Sequence, residues 1–390
     1  MRLDELERFE KDYLRKYRGY QAAIIEQWGQ AESSNQRQFV QYSDNYRQKI
    51  VVDYENNQIR VEQLASDLEP KPDLTTLAKK AASLTVEQAA GSDPVFPVRI
   101  ADRRSILESA FPGSLMDFPS LIAKSHTKVK KRDLSSAAES VSALQAVDEL
   151  PAGSPPEAAA TARSTVTNAF KEARKKSARN TRIYSLTIQF PANSALQRAK
   201  PYADVIEQNA KNFDLEVALV LAITQTESYF NPNAKSLVPA FGLMQVVPGS
   251  AGLDVNQQIN QVAELPTPES LFDSGINIAY GTGYLYLLSH RYFKDVYNPS
   301  SRLYCVIAAY NTGIGNVAKV FTSNREAKLT SAVEEINSLS ANAVYARLLS
   351  GLPYEETKRY LKKVTEARSK WAAVRMSGTE GLHTIETTPQ

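Results

Sequence analysis

This sequence predicts an α+β protein, with a small N-terminal domain that mixes a helix and a sheet and an all-α domain behind it. Three observations carry that expectation. Leu3, Leu6, Phe9, Tyr13, Tyr17, Tyr20, Ile24 and Trp28 recur at three- to four-residue spacing, which puts an apolar stripe on one face of a long helix. Tyr46 to Tyr54 and Gln58 to Glu62 are rich in β-branched residues and are separated by the turn-forming Asn56-Asn57, as two strands of a hairpin would be. Beyond Pro201 the apolar residues keep helical spacing almost to the end.

Composition sets the limits. A chain of 390 residues exceeds what one compact core usually organises, so two domains and a linker are expected. Apolar residues make up 43% and charged residues 23%, ordinary values for a globular protein. Lys and Arg number 46 against 43 Asp and Glu, a balance too even to call for a nucleic-acid partner, and none is expected. The single cysteine, Cys305, lies in an apolar run and reads as a small buried hydrophobe, with no internal disulfide or cysteine metal cluster available. His126, His290 and His383 are scattered without ligand spacing, so neither a metal nor another cofactor is expected. Gly313-Ile314-Gly315 follows a helix and lacks the Lys-Ser or Lys-Thr pair of a phosphate loop. Met1 to Gln30 interleaves charged and apolar residues, unlike a secretory signal, and no apolar stretch of about 20 residues occurs, so the chain as it stands is expected to be soluble.

Taken in order, residues 1–123 are expected to form the α+β domain. Residues 124–182 turn to Ala, Ser, Lys and Arg with Pro151, Gly153, Pro155 and Pro156, and read as a linker whose basic clusters are solvated. Residues 183–200 begin with Tyr184, Leu186, Ile188 and Phe190 on one face, a strand expected to return to the N-terminal sheet. Residues 201–376 form the helical domain, with helices around Tyr202 to Asn212, Leu215 to Tyr229, Ser274 to Phe293, Ser301 to Tyr310 and Glu355 to Trp371. Residues 377–390 read as a disordered polar tail.

One helix stands out. Asp214 is placed to cap a run from Leu215 to Ile223 that is apolar on nearly every side, as a central helix must be. It ends in Thr224-Gln225-Thr226-Glu227-Ser228-Tyr229, and Pro232 forbids continuation. Glu227 therefore falls at the edge of the core, where desolvation and the negative end of the helix dipole both disfavour its anion. A carboxylic acid kept protonated beside a cleft is what protonating a glycosidic oxygen requires, although most glutamates at helix ends are plain surface charges.

The residues around it narrow the choice. Glu227-Ser228, Gly242-Leu243-Met244-Gln245 and Ala309-Tyr310-Asn311 resemble, in order, three motifs of the family 1 lytic transglycosylases, whose fold is goose-lysozyme-like. Leu271-Phe272-Asp273, Asn277-Ile278, Gly281 and Tyr284-Leu285 resemble that family's central helix. Tyr184 to Ile188, Gly242 to Val247, Arg359-Tyr360-Leu361 and Gln41 to Tyr46 are similar to segments of its membrane-bound members.

The resemblance implies an enzyme acting on peptidoglycan in the periplasm, associated at most peripherally or through a lipid with the outer membrane. It implies Glu227 as acid and then base, and Ser236, Met244, Gln245, Tyr310, Asn311 and Tyr360 as substrate-binding residues. No second acid falls within the motifs, whereas ordinary glycosidases need one. A lysozyme-type hydrolase using Asp254, Glu264 or Asp273 to activate water, and a peptidoglycan-binding scaffold without turnover, stand as the alternatives. Met244, Tyr310, Tyr360 and Asn311 each also have a purely structural reading, as core filler or helix-end packing. Gln245 is different, because an amide within an apolar run must find partners.

Overall fold

A computed structural model describes the chain except for residues 44, 98–102, 115, 133–180, 192–193, 237–239, 323–327, 378–380 and 385–390. Most of the expected linker and the last residues of the expected tail lie outside the described residues. The chain forms two compact units: Arg2–Ser194 with Asn233–Pro239, and Ala195–Pro232 with Ala240–Gln390 and Met1.

The first unit is built on an antiparallel five-stranded sheet in the order β1-β2-β3-β5-β4. Its strands are β1 (Gln38–Tyr42), β2 (Gln48–Asp53), β3 (Gln58–Ser66), β4 (Thr127–Lys131) and β5 (Thr181–Gln189). The long helix α1 (Leu3–Trp28) lays Ile24 and Trp28 on Leu64 and Ile183, with Tyr20, Tyr42 and Tyr46 packed around them. The helix α2 (Leu74–Ser83) also packs on β3 and β5, and Phe190, at the end of β5, stacks on Phe111 at 3.9 Å. Apolar cover of this extent explains why Ile50, Val51 and Val52 are buried in succession, where a one-sided sheet would alternate.

The α1 side of the sheet also buries charge. Lys49 and Glu62 face each other across β2 and β3 at 2.5 Å, and Glu32 binds Lys49 at 2.7 Å and also pairs with Arg60. Trp28 lies under the Lys49 ammonium at 4.5 Å. Burial would raise the Glu32 carboxyl, but Lys49 and Arg60 outweigh it and hold it below its usual value.

Four expectations need correction. β1 was not anticipated, although Phe39 and Val40 are buried. Residues 124–182 do not begin as linker: β4 pairs with β5, yet every one of its side chains is exposed, so no apolar pattern betrays it and three lysines guard the edge. Part of the polar tail is a hairpin, β6 (Val374–Ser377) with β7 (Gly381–Thr384), strands too short to leave a periodic signal. Asp214 does not cap the central helix: its φ is 51° and its side chain is fully exposed, while Glu216 holds the cap position.

Among the described residues, the second unit is helical apart from that hairpin. Its central helix, Val217–Ser228, buries residues on all sides, including Leu219, Val220, Leu221 and Ile223. The last long helix, Glu355–Ala372, lies against it. Trp371 Nε1 donates to Gln225 Oε1 at 2.6 Å, and Arg368 pairs with Glu216 at 2.6 Å. These contacts fix the direction of the helix that ends at Glu227.

Candidate active site

The end of the Val217–Ser228 helix is closed by a left-handed cap. Tyr229 (φ 52°) and Phe230 (φ 62°) turn the chain sharply, and Tyr229 N–H donates to Gln225 O at 2.9 Å. Such conformations cost non-glycine residues energy, so something must hold them. The buried Arg198 does so, its Nε donating to Tyr229 O at 2.8 Å, while the Phe230 ring is buried beside Trp371. Glu227, one residue before the helix ends, is only 6% exposed.

Ser228 ties this helix to the next segment, its Oγ donating to Leu243 O at 2.7 Å. That segment, residues 241–246, is a tight loop in which Phe241 and Val246 exchange backbone hydrogen bonds. Gly242 has a φ of 72°, and a Cβ there would meet Asn277 Nδ2 and Leu271 O at 2.4 Å, so both backbone and space demand glycine. Asn277 is wholly buried and spends its amide on the loop: Nδ2 donates to Phe241 O and Leu271 O, each at 2.7 Å, and Oδ1 accepts from Met244 N at 2.7 Å. In the sequence Asn277 stands out only as part of the resemblance. The available signal was a polar residue between Ile276 and Ile278 on an apolar helix.

The loop presents Gln245 with a φ of 49°. Its Nε2 donates to Gly242 O at 2.9 Å, and its Oε1 is buried without a partner. An orphaned buried acceptor costs stability unless a ligand donor satisfies it. Met244 differs from expectation. Its side chain is fully buried against Gly281, so it shapes the loop from beneath.

Two phenols flank the acid. Tyr310 donates its hydroxyl to Met244 O at 2.8 Å and so braces the loop, and its ring packs on Tyr284 with centroids 5.6 Å apart. Tyr360, on the last long helix, has a buried hydroxyl that feels the Glu227 carboxyl yet forms no aligned hydrogen bond. Burial pushes both phenols well above their usual range, with the Glu227 charge adding to it, so both remain O–H donors. Thr357 donates to Asn311 Oδ1 at 2.7 Å, which orients that amide and leaves its nitrogen for another partner. Ser236 is not brought into this group: it belongs to the segment that folds with the sheet unit, where its carbonyl accepts from Tyr13 at 3.3 Å.

The three alternative acids are placed as follows. Asp273 is engaged as a helix cap, accepting from Ile276 N at 2.9 Å. Asp254 accepts from Tyr292 at 3.3 Å and is raised by burial. Glu264 contributes a backbone carbonyl to Asn256 Nδ2 at 2.6 Å. Among the described residues no group of His, Cys, Asp and Glu side chains could hold a metal ion.

Comparison with known proteins adds to this geometry. Residues 204–332 match the family described as Transglycosylase SLT domain. Residues 10–83 match the one described as Membrane-bound lytic murein transglycosylase C, N-terminal domain. Membrane-bound lytic murein transglycosylase C of Klebsiella pneumoniae strain 342 is 42% identical over 189 residues, covering 48% of this chain and 51% of that protein. The protein of the same name from Pectobacterium atrosepticum is 42% identical, with 48% and 52% covered. The chain thus spans about half the length of the curated relatives it matches. Among solved structures, the lytic transglycosylase Slt of Pseudomonas aeruginosa overlays with a TM-score of 0.33 at 25% identity, over 48% of this chain and 28% of that one.

Proposed function

Because this chain carries a transglycosylase SLT domain behind an N-terminal domain of the lytic murein transglycosylase C kind, we propose that it is an enzyme that cleaves peptidoglycan glycan strands by lytic transglycosylation. The bond cut is the β-1,4 link from N-acetylmuramic acid to N-acetylglucosamine. The observation that supports this most is Glu227 itself: a carboxyl 6% exposed, at the end of an apolar helix, with two protonated phenols beside it.

The acid acts first. Glu227 gives its proton to the glycosidic oxygen as the bond from the muramyl C1 breaks, and the sugar's own acetamido group stabilises the oxocarbenium-like centre. The carboxylate then takes the proton of the same sugar's C6 hydroxyl, whose oxygen closes on C1 and leaves a 1,6-anhydro end. Glu227 ends protonated and no water is consumed. Gln245 Oε1 accepts from a sugar N–H or O–H, and the nitrogen of the Asn311 amide and the Tyr360 hydroxyl donate to the sugar chain. The working compartment is the periplasm, and among the described residues no helix is long and apolar enough to cross a membrane.

Mass analysis of products from purified sacculi tests the reading. Anhydro ends are expected; reducing ends, heavier by one water, would replace transglycosylation with hydrolysis, for which the half-buried Asp254, raised by desolvation, is the first candidate second acid. Glu227→Gln is expected to lower cleavage by about a thousandfold or more without loss of glycan binding. Equal binding with no cleavage by either protein would leave a scaffold.

A further inference from the structure

The sheet unit holds a cleft of its own. It has a volume of about 570 Å³, within the range of small-ligand sites, and its walls include Ser43, Asn45, Arg47, Gln48, Gln63 and Glu69. Gln48 and Gln63 are directly opposed on β2 and β3, so the register of the sheet sets their side chains side by side on one face. Gln48 Nε2 donates to Gln63 Oε1 at 3.1 Å. That bond leaves the Gln48 carbonyl oxygen and the Gln63 amide nitrogen, one acceptor beside one donor, for another partner.

Among the described residues that line the cleft, the charges cancel. Arg47 Nη2 grips both Glu69 oxygens, at 2.6 and 2.8 Å, and Leu64 O at 3.1 Å, which leaves Nε and Nη1 as further donors. The Arg47 hydrogen bond and the Ser66 N–H hold Glu69 down at about 2, so the pair stays ionised and neutral overall. An anion gains little there, because the one cation among the described lining residues, Arg47, is already matched. A neutral ligand that brings its own amide and hydroxyl groups gains most, and Ala65 and Pro70 add apolar surface for sugar ring faces.

We infer that this cleft binds an N-acetylated hexosamine unit, the acetamido N–H and C=O pairing with Gln48 and Gln63 and ring hydroxyls with Arg47. That the sugar belongs to the glycan cut by the helical unit rests on the proposed function; the recognition chemistry does not.

The test uses the full chain carrying Glu227→Gln, titrated with the β-1,4 N-acetylglucosamine tetramer and followed by backbone amide NMR. Saturable shifts are expected at Asn45, Arg47, Gln48, Gln63 and Glu69, with much weaker ones from the glucose tetramer, which lacks the acetamido group. Gln48→Leu with Gln63→Leu should raise the dissociation constant read from Arg47 and Glu69 about tenfold or more, while shifts at Gly242 to Gln245 keep theirs. If the double variant unfolds, Arg47→Lys, which keeps the charge and loses the extra donors, is expected to weaken the same shifts. Shifts confined to residues 242–245, equal affinity for the glucose tetramer, or an unchanged constant in the folded variants would each overturn the inference. Shifts at Arg47 and Glu69 without any at 242–245 would uphold it and count against the proposed function instead.

Discussion

At the residue scale, Glu227 is set apart by where its helix stops. The chain holds 43 acidic side chains, and another could stand in for Glu227 only if it too were buried beside donors, which is why its letter alone says little. A carboxyl at 6% exposure and a helix C-terminus is disfavoured as an anion, so the neutral acid is expected to persist above the usual glutamate value of about 4.3. Cleavage therefore falls as pH rises through that higher value; a rate already half lost near pH 4.3 on the alkaline side would remove desolvation from the account. Asn277 acts differently, through the loop it fastens. Asn277→Ala strands Leu271 O and Met244 N and takes one of two donors from Phe241 O, and is expected to cost about 2–4 kcal/mol in denaturant unfolding. At temperatures where the variant stays folded, its KM should rise because Gln245 is no longer held.

At the element scale, the sheet unit depends on a buried ion network that the helical unit has no counterpart for among the described ion pairs. Lys49→Met removes the buried cation between Glu62 and Glu32 and leaves both carboxylates to the less buried Arg60 alone, and is expected to destabilise the unit by about 3–5 kcal/mol. Adding Glu62→Leu should restore a large part of that loss, because the uncompensated charge is then gone; chemical denaturation of both variants reads the difference. The helix Val217–Ser228 shows the opposite design, with apolar residues all round and polarity only at its end. Its long apolar run and terminal Pro232 made it visible in the sequence. β4 was invisible for the converse reason, since a strand held by backbone pairing alone, with exposed side chains, carries no pattern.

At the scale of the whole molecule, the carboxyls held below their usual values lie mainly in the sheet unit: Glu5, Asp12, Glu32, Glu69 and Asp73, against Glu355 in the helical unit. A depressed folded pKa contributes stability that is present above the unfolded value and lost as pH falls through the folded one. With Glu69 and Asp73 at about 2, the sheet unit is expected to lose stability from roughly pH 4.5 down toward 2 and to unfold before the helical unit. Near- and far-ultraviolet circular dichroism along an acid titration would show two steps, helix signal outlasting the first. By itself the sequence determined the α+β class, the helix that ends at Glu227 and the order of the motifs, because periodicity and local turn chemistry are written in consecutive residues. Only the tertiary structure decided that Met244 is floor, that Tyr310 braces the loop, that Asn277 fastens it and that Ser236 folds with the other unit. Those assignments depend on which groups meet across tens of residues, and burial and hydrogen-bond satisfaction exist only once the chain has closed on itself.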